Sequence, residues 1–158
     1  MILIRNGRDA DAAVIAAIHR DSRAAAMPWL PKLHTPEEDL FFFESSVMKS
    51  CEVYIAQSEE RLLGFCAVRD TWIDHLYIRP ENFQQSCGTQ LLDRAKLGRS
   101  ELHLWCFQRN EIARRFYEKR GFKPVELTDG RLNEEKEPDV RYVWSAHQPA
   151  YQGEATRI

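Results

Sequence analysis

A chain of 158 residues, 44% hydrophobic and 29% charged, is long enough to bury the core of one globular domain. Its net charge of −2 supplies no overall field for nucleic acid or anionic lipid, which argues against both as partners. No apolar run approaches the length of a membrane-spanning helix. Met1–Arg5 reads as a first strand. Asp9 then stands as the N-cap of a helix to about Ala24, with Ala12, Ala13, Ile15, Ala16 and Ile18 on its apolar side. Pro28 and Pro31 break the helix across Met27–His34. Thr35-Pro36-Glu37-Glu38 restarts one: Thr35 caps, Pro36 takes the first helical position, and Glu38 closes a capping box ahead of Leu40, Phe41, Phe42 and Phe43.

Cys51–Gln57 and Leu62–Arg69 flank the polar Ser58–Arg61 and predict a hairpin. Trp72–Ile78 is the next strand, followed by a loop opened by Pro80 and a helix over Gly88–Lys96 with Leu91, Leu92 and Ala95 inward. Glu101–Phe107 is again a strand, and Asn110–Arg120 a helix ended by Gly121. Lys123–Leu127 and Arg141–Ser145 make the last two strands, separated by the charged loop Thr128–Asp139. Residues 1–145 thus form one domain, and 146–158 a polar, loose tail.

The order β-α-α-β-β-β-α-β-α-β-β implies an α/β fold: a mixed, mostly antiparallel sheet flanked by helices. The helix between Trp72–Ile78 and Glu101–Phe107 is a crossover, so those two strands run parallel. Ligands tend to bind beyond the C-terminal ends of such strands, where the loop 80–88 and residues 108–110 lie. A strand–loop–helix there turns unpartnered backbone N–H groups toward one point and suits an anion.

Two runs carry a family resemblance. Leu76-Tyr77-Ile78, Pro80 and then Phe83-Gln84-Gln85-Ser86-Cys87-Gly88 form the first; Asn110, Ala113, Phe116, Tyr117, Gly121 and Phe122 form the second. The chain resembles the GCN5-related N-acetyltransferase (GNAT) superfamily over about 2–144. The resemblance implies the acyl-CoA N-acyltransferase fold. It implies acetyl-CoA as co-substrate, bound against Leu76, Tyr77, Ile78, Gln84, Gln85, Ser86, Cys87, Gly88 and Thr89, and against Asn110, Ala113 and Phe116. Phe83 stands where the family has Arg or Gln, and Ser86 where it has its first glycine.

On helical spacing alone, Ile112, Ala113, Phe116 and Tyr117 share one face and read as core. The resemblance implies instead that Tyr117 is the general acid that protonates a departing thiolate. An amine acceptor must also lose a proton. Asp74 is the first candidate for the base, with His75 beside it on the opposite strand face and Glu134 and Glu135 in an acceptor-side loop. The aromatic-rich stretch Met27–Phe43 is expected to line the acceptor pocket near Trp29 and Phe41. Arg109, Arg114 and Arg115 read as a basic patch at the cofactor mouth, or as a solvated helix face. Cys51, Cys66, Cys87 and Cys106 form no CxxC pair, and no spacing suggests a metal site. Free thiols, and Arg5 following Met1–Ile4 at once, suggest the cytoplasm. The function expected is transfer of an acetyl group to a small-molecule or peptide amine in a ternary complex, with no nucleic acid or membrane partner and a homodimer left open. The alternative is a CoA-binding regulatory module with little or no catalysis.

Overall fold

The computed structural model describes residues 1–83 and 85–147; Gln84 and the tail residues 148–158 lie outside them. β1 (Leu3–Asn6) leads through a short 3-10 turn into α1 (Ala12–Ala26). The N-terminal anchor there is Asp11 rather than the predicted Asp9. The Asp11 carboxylate accepts from the Arg8 backbone N–H at 2.8 Å and from the Arg5 guanidinium at 2.9 and 3.0 Å, while Asp9 stays exposed. The Arg5 bond holds the Asp11 pKa below the usual carboxylate range.

The Thr35–Glu38 capping box forms as expected, with Glu38 N–H donating to Thr35 Oγ1 at 3.1 Å and Thr35 N–H to Glu38 Oε1 at 2.9 Å. It opens α2 (Pro36–Phe42), which continues through a π turn (Phe43–Val47) into α3 (Met48–Ser50). The hairpin follows as β2 (Glu52–Ser58) and β3 (Arg61–Arg69), then β4 (Trp72–Ile78), α4 (Cys87–Lys96), β5 (Glu101–Phe107), α5 (Glu111–Lys119), β6 (Lys123–Leu127) and β7 (Asp139–Ser145).

The strands make one seven-stranded sheet in the order β1-β2-β3-β4-β5-β7-β6. Every pairing is antiparallel except β4 with β5. α4 buries Cys87, Leu91, Leu92 and Ala95 on one face of the sheet, where α5 adds Ala113, Phe116 and Tyr117. α1 and the π turn cover the other face with Ile15, Ala16, Ile18, Phe43 and Val47.

Two features of β4 place the site. The parallel pairing with β5 registers only at Trp72 and His103, so the strands part toward their C-terminal ends. Opposite β3, Ala67 faces His75 while Val68 faces Ile73, which leaves Asp74 as an extra, bulged residue. The bulge resets the alternation. Ile73, Leu76 and Ile78 pack toward α4, whereas Tyr77 joins the α1 side and His75 rings with Phe43 and Phe65 there. At the end of β4, Gly64 permits close approach: a Cβ there would stand 2.6 Å from Ile78 Cδ1 and 2.8 Å from the Tyr77 carbonyl oxygen.

Candidate active site

The parted strands open beside the N-terminus of α4. The first backbone bond closing that helix runs from Gln90 N–H to the Ser86 carbonyl at 3.0 Å, so the N–H groups of residues 87–89 precede its ladder. Ser86 occupies the N-cap, but its hydroxyl accepts from Gln90 Nε2 at 2.8 Å instead of capping the helix. Gly88 is buried under α5; a Cβ there would come within 3.2 Å of the Phe116 ring. The guanidinium of Arg120 stacks 3.9 Å from the centre of the same ring and donates to Thr89 Oγ1 at 2.7 Å. Asn110 caps α5 by accepting from Ala113 N–H at 3.2 Å.

Tyr117 lies under this opening, its ring against Phe116, Phe122 and Tyr142 at centroid distances of 5.2, 5.6 and 6.3 Å. Burial pushes its phenol well above the ordinary tyrosine pKa, reinforced by Cys106, Cys66 and Tyr77. Cys106 and Tyr77 also line the cleft on the far side of the sheet.

That cleft encloses about 1280 Å³ between α1, the segment after it, β4, β5 and the loop joining β6 to β7. The loop is tightly built. Asn133 Nδ2 donates to the Glu137 carbonyl at 2.7 Å and to Asp139 Oδ2 at 3.1 Å, and Gln108 Nε2 donates to the carbonyls of Thr128 and Asp139 at 3.0 and 2.9 Å. Gly130, at φ +80°, passes so close to Glu137 that a Cβ would lie 2.3 Å from its backbone carbon. Arg23 crosses the cleft, donating to Tyr77 Oη and to Glu135 Oε1, both at 3.2 Å. His34 pairs with Glu134 across the mouth. Asp74 lines the wall, paired with Arg69 at 2.9 Å. The floor carries His19 and His75, whose imidazoles are held neutral by burial, at about 3 and about 4.

The family model described as Acetyltransferase (GNAT) domain matches residues 49–124, which span β2 to α5. That stretch is similar to a GNAT domain. The whole architecture agrees. The solution structure of apo-form YjaB from Escherichia coli matches with a TM-score of 0.75 at 23% identity, over 91% of this chain and 97% of that one. The PaiA N-acetyltransferase from Thermoplasma acidophilum, solved in complex with coenzyme A, matches at 0.71 and 23% identity, over 92% and 99%. YncA from Salmonella typhimurium, solved with its cofactor acetyl-CoA, matches at 0.70 and 15% identity, over 95% and 96%. At these identities the likeness is one of fold. No curated protein matches the chain significantly in sequence.

Within the GNAT frame the structure gathers Leu76, Ile78, Cys87, Gly88, Ala113, Phe116 and Tyr117 into or against one core on the α4 face. Cys87 is buried packing, its thiol raised by burial. Gln85 is exposed, its side-chain oxygen accepting from Asn82 Nδ2 at 3.2 Å. The Tyr77 side chain faces the cleft, which leaves only its backbone for the α4 side. Asp74 and His75 do not diverge as strand alternation predicts; the bulge brings both to the cleft.

The three arginines do not form one patch either. Arg109 stacks 4.2 Å over Trp29, Arg114 donates to Tyr142 Oη at 3.0 Å, and Arg115 is exposed. Of the two aromatics expected at the acceptor pocket, Trp29 is occupied by Arg109 and Phe41 is 70% exposed; Phe42 lines the cleft instead. Sequence reasoning missed His19, Arg23 and Arg120. His19 was detectable, because it follows Ile15 by one helical turn on the buried side of α1. Among the described residues no three His, Cys, Asp or Glu side chains converge as metal ligands, and no helix is long and apolar enough to cross a membrane.

Proposed function

We propose that the protein is an N-acetyltransferase that moves an acetyl group from acetyl-CoA to a small-molecule or peptide amine by direct attack in a ternary complex. The observation that supports this best is the parting of β4 from β5, with Tyr117 packed against the same core as Leu76, Ile78 and Cys87. The residues there fit a pyrophosphate-bearing group. The edge of β4 beyond Trp72 has no register with β5, the first N–H groups of α4 precede its ladder, and Gly88 keeps the approach narrow without a side chain. The cradle would be the backbone of residues 85–89, with Leu76–Ile78 along one side and Asn110, Ala113 and Phe116 along the other; Gln84, expected there from the sequence, lies outside the described residues. Acetyl-CoA, when bound, supplies the activated thioester.

Tyr117 holds a proton at Oη through the neutral range and gives it to the departing sulfur. An ordinary thiol titrates near 8.5 and tyrosine near 10, so on those values alone the transfer runs uphill. Burial raises thiols in this core as well as the phenol, with Cys66 and Cys106 pushed up to about 12. A sulfur anion released beside them is made more basic by the same desolvation, which favours its protonation. Asp74 contributes a fixed negative charge in the cleft wall, where Arg69 holds it, and attracts a cationic amine. With Cys87 and Cys106 buried and protonated, neither competes as an acyl carrier, which favours direct attack. Free buried thiols suit a reducing, cytoplasmic setting.

The test is thiol release across an amine panel, alongside calorimetric titration with acetyl-CoA. Turnover on at least one amine is the expected result, and no acetyl-CoA binding at all would refute the reading. The exposure of Phe83 (38%) and the serine at position 86 favour a second reading, a CoA-binding regulatory module, which predicts tight binding without turnover.

A further inference from the structure

The floor of the acceptor cleft holds two imidazoles that the chemistry of Tyr117 leaves unused. His19 of α1 and His75 of β4 meet edge to face, centroids 5.6 Å apart at 88°. Each also contacts Tyr77, at 4.9 and 6.1 Å, and Phe43, at 5.2 and 5.3 Å. Both line the cleft. Among the described residues, His19 Nδ1 is fully buried without a hydrogen-bond partner. Folded proteins seldom leave a buried polar nitrogen unpaired, least of all beside a cleft, unless something else uses the group.

The neighbouring groups are already engaged. Asp74 is tied to Arg69 and to the Cys51 thiol, and Arg23 to Tyr77 and Glu135. Asp74 favours a proton on His75 and Arg23 opposes it; His75, Arg23, Arg20 and His34 all oppose one on His19.

We propose that His75 takes up the proton that the acceptor amine loses on attack, with His19 holding the His75 ring edge-on in position. This rests on the acetyltransferase reading and assigns the base that reading lacks. An alkylammonium titrates near 10.4 and His75 at about 4, so the imidazole does not strip a resting ammonium ion. The burial that keeps both rings neutral also disfavours a charged amine on the same floor. The floor therefore accepts the amine as its free base.

On attack the nitrogen–carbon bond forms and the thioester carbon–sulfur bond breaks. The excess N–H proton passes to a free ring nitrogen of His75, and the Tyr117 Oη proton passes to sulfur. His75 then releases its proton to solvent through the open cleft, and the Tyr117 phenolate regains one. The products are a neutral amide and a thiol, with no oxidant or reductant needed.

The decisive variant is His75→Phe, which suits a floor already built from Phe42, Phe43 and Phe65. Turnover on the best amine is expected to fall about 10²- to 10⁴-fold at unchanged acetyl-CoA affinity. His75→Gln, which keeps a polar group but little basicity, guards against a folding defect and is expected to lose turnover as well. His75→Ala should regain part of its rate when imidazole is added. His19→Phe should lower kcat with little change in KM and should not respond to imidazole. Independently of acetyl-CoA, ¹⁵N-histidine spectra of the free protein should show the His75 ring shifting when the amine is titrated in.

Full turnover by His75→Phe, or histidine signals indifferent to a saturating amine, overturns the proposal while leaving the acetyltransferase reading intact. A wild-type protein that binds acetyl-CoA but acetylates nothing overturns that reading, and this proposal with it.

Discussion

The two sides of the sheet are built by different means. On the side around α4 and α5, the candidate cradle and the phenol-bearing helix come from one stretch, Trp72 to Phe122, packed on β2, β3 and β7 through apolar side chains. The acceptor side draws on α1, the proline-broken segment, β4 and the β6–β7 loop. Charged side chains tie it together: Arg23 to Glu135, 112 positions apart, and His34 to Glu134, 100 positions apart. A compact motif can supply the chemistry, whereas the shape of the acceptor cleft depends on long-range ion pairs. Salt and acid should therefore act on the acceptor side first, because fixed backbone dipoles and packing have no charge to screen or titrate.

The largest test of that division is Tyr117→Phe, which removes the phenol and keeps the ring among Phe116, Phe122 and Tyr142. A rate loss of about 10²- to 10⁴-fold with unaltered acetyl-CoA affinity is expected in a thiol-release assay. Unchanged turnover would take Tyr117 out of the mechanism.

Next comes acid sensitivity. His19 and His75 titrate at about 3 and about 4 in the fold, against about 6.5 in an unfolded chain. A folded value below the unfolded one means that the contribution is whole above about pH 6.5 and is lost as pH falls toward the folded value. Each histidine should remove up to about 1.4 kcal/mol of stability per pH unit across that window. Urea unfolding at pH 7 and pH 5 measures the loss, and His75→Phe should make it shallower. Equal slopes in wild type and variant would mean that the floor is not dry.

Two glycines then probe the sides separately. Gly130→Ala puts a Cβ against the Glu137 backbone at positive φ, and a cost of about 1–3 kcal/mol is expected, with a raised KM for the amine and intact acetyl-CoA affinity. Gly88→Ala needs only a few tenths of an ångström from the Phe116 ring. Its effect should be the smallest: a cost below about 1 kcal/mol, seen by calorimetry as weaker acetyl-CoA binding of a few-fold at most. If either variant disturbs the other side's ligand instead, the two sides are not independent.

Much of the fold was legible because its signals are local. The capping box at Thr35 and Glu38, the hairpin around residues 58–61, the crossover helix and the Asn110 cap all depend on residues within a few positions of one another. The shared core position of Ala113, Phe116 and Tyr117 is local in the same way, since they recur at helical spacing along α5. The failures share one cause. Asp9 lost the capping role because Arg5, on β1, recruits Asp11. Asp74 and His75 came to the same cleft because β3 pairs around a bulge that strand alternation does not foresee. Trp29 was taken by Arg109, a residue of the loop after β5.

What the sequence by itself determined is the order of elements, the mixed sheet and a strand–loop–helix beside a phenol-bearing helix, because each rests on periodicity and capping within one or two turns. Tertiary structure alone decided which groups face the acceptor. The bulge at Asp74 chooses the face of His75, α1 brings His19 against it, and burial, which only packing creates, makes both imidazoles neutral.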